Sequence, residues 1–168
     1  MLKTKKWLLP LLGFVLAGTA LAQSEPARFY KLDFVVKEVE GGKVVNSRMF
    51  SAMLAVAMPG RDNPAASIRT GGRVPVTLGG STQFQYYDVG VNIDARDLRE
   101  AQGDVSLMVQ ADINLVAQEQ AGQSPVTRQN RWSGMVLAAV KKPTIVFASD
   151  DFTSKRQLQL ELTATPVK

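Results

Sequence analysis

The chain has 168 residues, 20 of them Lys or Arg and 15 Asp or Glu, giving a formal charge of +5, with no histidine and no cysteine. That inventory excludes zinc sites of the usual kind and both Ser-His-Asp and Cys-His catalysis. It also excludes disulfides, so the domain must be held by its core alone.

Residues 1–22 read as a cleaved signal peptide. Lys3, Lys5 and Lys6 make a basic start, an apolar stretch runs from Trp7 to Ala17, and Ala20-Leu21-Ala22 fits the small-x-small cleavage rule before Gln23. The apolar run is short for a membrane span and Pro10 interrupts it. No cysteine follows, so a lipoprotein anchor is excluded. Removing 22 of the 168 residues leaves 146, one domain of ordinary size. Without the three leader lysines, 17 basic residues face 15 acidic ones. A balance of +2 with no aromatic-interleaved basic run does not point to nucleic acid.

Residues 23–27 read as a flexible mature N-terminus and 28–168 as the folded domain. Tyr30, Leu32, Phe34 and Val36 alternate with polar residues, which predicts a strand. Gly41-Gly42 between Glu40 and Lys43 predicts a two-residue hairpin turn, leading into a Met-rich strand over about 44–57. After the "PGRDNP" loop, residues 66–76 predict a strand broken at Gly71-Gly72. The next strand, about 83–94, sets Tyr87, Val89, Val91 and Ile93 on one face and Tyr86, Asp88, Gly90, Asn92 and Asp94 on the other. Residues 96–104 read as a connection holding a helical turn.

Val105, Leu107, Val109, Ala111, Ile113 and Leu115 then form the cleanest alternation in the chain. A polar loop over 118–125 leads to a strand over about 126–140, whose apolar face changes near Ser133-Gly134 and suggests a bulge. "TIVFA" is a short strand, and Leu158, Leu160, Leu162 and Ala164 mark the last one. About eight strands without a convincing helix predict an all-β fold, a single antiparallel β-sandwich-like domain.

Several residues qualify as candidate sites. Asp88 and Asp94 share a strand face but lie about 20 Å apart, too far to share a ligand. Pairing with the next strand in one register sets Asp88 across from Asp112, and in another sets Asp94 across from Asp104; like charges opposite one another would call for a cation or an arginine. The more ordinary reading is a solvated outer face with a register that avoids the clash. Gly90 suits a close backbone approach or makes room for an aromatic neighbour such as Tyr86. Trp132 reads as core or rim packing, with an exposed binding anchor as the alternative. Asp150 and Asp151, followed by Thr153, Ser154, Lys155 and Arg156, read as a hydrogen-bonded turn, since the spaced ligands of a calcium loop are missing. Met49, Met53 and Met58 suit either core filling or an adaptable contact surface. No catalytic residue, cofactor site or metal site emerges.

The order of these pieces resembles a secretin homology domain, as found in bacterial type II and type III secretion and type IV pilus secretins. "FYKLDFVVKEVEGG" is similar to that domain's opening, and "ASIRTGGRVPV" to its "I-x-x-G-x-x-V-P" strand. "YYDVGVNIDAR" resembles its "Y-x-D-V-G-V-x-L-x-V" strand, "DVSLMVQADIN" the strand after it, and "LQLELTATPVK" its closing "E-L-x-x-x-x-T-P" strand. The resemblance covers nearly the whole mature chain, in order. It implies the scaffold of an outer-membrane ring channel. Departures matter: only "TLGGST" stands where that family inserts gate hairpins, Phe147-Ala148-Ser149 replaces paired glycines, and "SDDFTSKRQ" stands where a Pro-, Leu- and Gly-rich gate support is expected. The expectation is a short stand-alone form lacking gate and N-terminal ring domains.

The function expected is therefore a non-enzymatic, exported β-domain with a structural or protein-interaction role in the bacterial envelope, not pore-forming alone and without stable membrane insertion. It would meet an envelope protein partner or itself through an edge strand. The alternative is a periplasmic or cell-surface β-sandwich binding module. Location is expected in the periplasm, at the outer-membrane periphery, or outside the cell.

Overall fold

The computed structural model describes residues 27–60, 62–77, 84–118, 126–152 and 154–167. The expected leader, residues 23–26 and the turns after Thr77 and Gln118 lie outside the described residues. Eight strands follow one another: β1 (Phe29–Glu40), β2 (Lys43–Ala55), β3 (Ala65–Thr77), β4 (Phe84–Ala101), β5 (Asp104–Gln118), β6 (Val126–Ala139), β7 (Thr144–Asp150) and β8 (Arg156–Val167). They make two four-stranded antiparallel sheets, one ordered β2-β1-β8-β7 and the other a meander, β3-β4-β5-β6. The expected all-β fold of about eight antiparallel strands is what forms.

Alternation in the sequence sets the core. Leu32 and Phe34 of β1, Leu160 and Leu162 of β8, Ile93 of β4, and Leu107, Val109 and Ile113 of β5 are buried in one cluster drawn from both sheets. Each such side chain contributes about 1.5–3 kcal/mol by leaving water. The odd-numbered face of β4 and β5 is thus the inner face. Its even-numbered partners look outward.

The predicted Gly41-Gly42 turn forms with φ of 56° and 78°, and Glu40 sits opposite Lys43. Three other expectations fail. Residues 96–101 hold no helical turn: β4 continues through them, with a bulge between Arg96 and Arg99 and Asp97 at φ 58°. One extra residue shifts the period-two phase, so Leu98 points inward after Ala95 did. Strand β3 is not broken at Gly71-Gly72; it pairs with β4 without interruption from Ala65 to Thr77. No bulge occurs at Ser133-Gly134, because the β5–β6 register is continuous there. The apparent change of face arises because Met135 and Leu137 stand exposed on the outer side while Val136 and Ala138 are buried.

The β4–β5 ladder begins at Gly90 opposite Asn114. Residues 84–89 of β4 therefore pair with β3 alone, and the β3–β4 hairpin reaches past its neighbour in the meander.

Candidate functional site

The outward face of the meander carries three of the candidate carboxylates. Neither like-charge register occurs: Asn92 stands opposite Asp112 and Asp94 opposite Gln110. Each carboxylate meets an arginine from an adjacent strand. Arg69 Nη2 donates to both oxygens of Asp94 at 2.7 and 2.9 Å, and Ser67 Oγ adds a third bond at 2.6 Å. Arg73 Nε donates to Asp88 at 2.9 Å. Arg131 Nη2 donates to Asp112 at 2.8 Å, and Gln129 reaches the same carboxylate at 3.2 Å. The Ser67 hydrogen bond, opposed by partial burial and reinforced by Arg69 and Arg96, holds the Asp94 carboxyl below its usual range. The face is a ladder of compensated charge.

Between two of these ion pairs lies a notch of about 400 Å³, lined by Gly71, Gly90, Asn92 and Asn114. Gly71 and Gly90 are directly opposed and both point outward. It is the backbone of β3, and not an aromatic ring, that requires glycine at position 90. Beyond the notch, toward the hairpin tip, Tyr86 and Phe84 continue the same outward face, 62% and 60% exposed.

Trp132 sits apart from those carboxylates' outer side, on the inner face of β6. It is half-buried, packs against the core, and meets Phe147 of β7 with ring centroids 6.2 Å apart. Asp150, the last residue of β7, and Asp151 just after it lie at a third place. Asp151 forms an ion pair with Arg128 at 2.6 Å and accepts from Ser154 Oγ, while Asp150 accepts from Gln157 at 2.8 Å. They border a cleft of about 270 Å³ whose apolar wall includes Leu115, Phe152 and Leu158. Thr153 lies outside the described residues. The six candidate residues thus divide among three places and form no single centre. Among the described residues, no group of three or more His, Cys, Asp or Glu could hold a metal ion.

Sequence reasoning missed Arg69, Arg73 and Arg131 as the partners of the three aspartates. Aligning the glycines of β3 and β4 would have found Arg73, because that register brings it opposite Asp88, while Arg69 stands opposite Asn92 and reaches Asp94 along the diagonal. Met49 and Met53 project outward from β2, 65% and 50% exposed, with Met58 half-buried. Among the described residues, each sheet ends in two strands paired on one side only: β2 and β7 in one, β3 and β6 in the other.

No protein-family model matches the chain, and no curated protein matches it. Solved structures do. The secretin InvG of the Salmonella SPI-1 type III secretion injectisome is 7% identical, with a TM-score of 0.53 over 86% of this chain and 66% of that one. The InvG secretin-domain β-barrel from the same injectisome's base is 8% identical, with a TM-score of 0.52 over 86% of this chain and 64% of that one. InvG in the basal body with PrgH and PrgK is 7% identical, with a TM-score of 0.53 over 86% of this chain and 47% of that one. The chain thus spans two-thirds or less of each of these three structures. Two antiparallel sheets in this order, superposing on InvG over most of the chain, make its fold that of a secretin β-domain.

Proposed function

We propose that this chain is an exported, non-enzymatic structural element of the bacterial cell envelope, a secretin-type scaffold that acts by protein association and opens no pore by itself. The observation that carries the reading is the secretin-domain fold combined with strands at both ends of both sheets that, among the described residues, pair on one side only. Each sheet has four antiparallel strands, so its two edge strands run in opposite directions. β6 of one copy can therefore pair antiparallel with β3 of the next, and β7 with β2, the backbone groups of each edge supplying the bonds. An envelope protein offering an extended strand would use the same edges.

Lipid contact is disfavoured. The outward face of the meander bears the Arg–Asp ladder, and the outward face of the other sheet bears Lys31–Asp33 and Lys37–Glu161 ion pairs. A lysine or arginine facing lipid near the bilayer midplane costs about 2–4 kcal/mol. Export would remove residues 1–22, leaving Gln23 first.

The test is to purify the exported protein without detergent, sequence its N-terminus, follow its sedimentation over a concentration series, and add it to planar bilayers. The expected results are a start at Gln23, reversible association in plain buffer, and no conductance. Aggregation relieved only by detergent, or stepwise conductance, overturns the reading.

A further inference from the structure

The outward strip along β4 serves no purpose in edge pairing, and its chemistry is specific. Each aspartate flanking it is matched by an arginine, Asp94 by Arg69, Asp88 by Arg73 and Asp112 by Arg131, and Arg96 at its end faces Asp97 at 3.9 Å, so among the described residues the strip offers a partner balanced charge. Asn92 and Asn114, beside the notch, make no side-chain hydrogen bond among the described residues, although each amide has two donors and an acceptor. The opposed glycines remove two side chains and leave backbone within reach of a ligand. At one end of the strip, two large aromatic rings stand more than half exposed on the same face. From Phe84 to Asp94 the strip is about 34 Å long at the rise of an extended strand.

Flat apolar rings at one end and solvent-facing amides further along an extended and electrically neutral track match a ligand with alternating apolar faces and hydroxyl edges. A charged polymer would meet no complementary charge here. An apolar protein segment would have to cover the matched ion pairs at a desolvation cost. We propose that this face binds an extended neutral polysaccharide, with Phe84 and Tyr86 stacking on sugar rings and Asn92 and Asn114 bonding hydroxyls above the Gly71–Gly90 notch. This is independent of the edge association proposed above, and either can fail without the other.

The experiment is calorimetric titration of the purified exported protein with chitohexaose and with cellohexaose, two uncharged β-1,4-linked chains. Saturable binding of at least one is expected. Tyr86→Ala and Phe84→Ala should each weaken it by roughly tenfold. Tyr86→Phe should retain it, and Asn92→Ala should weaken it. Met135→Ala, on the same sheet face but away from the strip, should leave it unchanged. Raising salt from about 0.1 M to about 0.5 M should also leave it unchanged, as screening acts on charge. Unaltered thermal midpoints of the variants exclude misfolding as the cause. No saturable binding of either hexamer at millimolar concentration overturns the proposal. So does binding that Tyr86→Ala leaves intact, or binding that salt abolishes.

Discussion

Gly90 and Gly71 face one another across the β3–β4 ladder at a distance that admits no side chain on either. A Cβ on Gly90 would stand 2.2 Å from the carbonyl oxygen of Thr70 and 2.7 Å from Cα of Gly71, and one on Gly71 would stand 2.6 Å from the carbonyl oxygen of Val89. All of these obstacles are backbone, which yields only if the ladder moves. Gly90→Ala and Gly71→Ala should each destabilise by about 1–3 kcal/mol, the usual cost of overpacking. At Gly72 nothing lies within 4 Å. Gly72→Ala should be neutral or slightly stabilising. Denaturant midpoints of the three variants check the contrast.

A second contrast separates the two faces of β5. Leu107 and Ile113 are almost wholly buried, whereas Gln110 is exposed. Leu107→Ala and Ile113→Ala should each cost about 2–5 kcal/mol, and Gln110→Ala should cost little. Equal losses at all three positions in urea unfolding would contradict this burial pattern.

Asp97 invites a change in the opposite direction. It adopts φ 58° in the β4 bulge, and its Oδ1 is buried without a hydrogen-bond partner. Glycine enters that backbone region freely and removes the unsatisfied oxygen. Asp97→Gly should stabilise by about 1 kcal/mol or less, the relief of the left-handed backbone and of the unsatisfied oxygen less glycine's entropic cost and the lost long contact with Arg96, read as a rise in melting temperature.

Asp94 gives the fold a sensitivity to acid. Its carboxyl titrates below the usual range because Ser67 and the arginines favour the ionised form over the opposing effect of burial. A depressed folded-state value means the contribution is fully present above the unfolded-state pKa of about 3.9 and is lost as pH falls through the folded value. Asp33 acts in the same sense: burial opposes its ionisation, but Ser51 and Lys31 prevail. Asp94→Asn should lower stability at pH 7 by less than about 1 kcal/mol, since the pair is partly exposed. It should also flatten the fall in stability below about pH 4, measured by urea titration across pH.

The Arg128–Asp151 pair bridges β6 and the segment after β7, with side chains only 24% and 13% exposed. Removing one partner there should cost roughly 2 kcal/mol, short of the ~3–5 kcal/mol of a fully buried pair. Asp151→Asn should do so, and a double-mutant cycle with Arg128→Gln should yield a clear coupling energy.

How far the sequence foretells this structure varies by residue type. Strict alternation from Val105 to Ile113 and from Leu158 to Ala164 survives as burial, because one face of each strand meets the core. Gly41-Gly42 survives because few other residues fit that turn. The end of β4 was illegible: a single extra residue at Asp97 inverts the inside-outside phase, and "RDLREA" then imitates a helix. Met135 and Leu137 misled for another reason, since apolar residues on both faces of β6 leave alternation without contrast. The candidate aspartates were legible as an outward row. Their neutralisation by arginines was not, because partners on other strands depend on a register that local pattern does not fix.

The pairing of β1 with β8, from Phe29 opposite Val167 to Glu40 opposite Arg156, joins strands from opposite ends of the described chain in the middle of one sheet. The meander consists only of hairpins between successive strands and needs no such closure. Loop-closure entropy makes the meander the quicker half to assemble and the β1–β8 ladder the slow one. During synthesis or export from the N-terminus, β1 and β2 emerge first, yet a two-stranded hairpin is marginally stable alone. They must wait beside a finished neighbour until β8 arrives, their backbone edges and the Met49 side chain open to capture by another chain. Lengthening the time before β8 emerges should therefore raise the yield of misassembled protein, while the same delay placed after β8 should not.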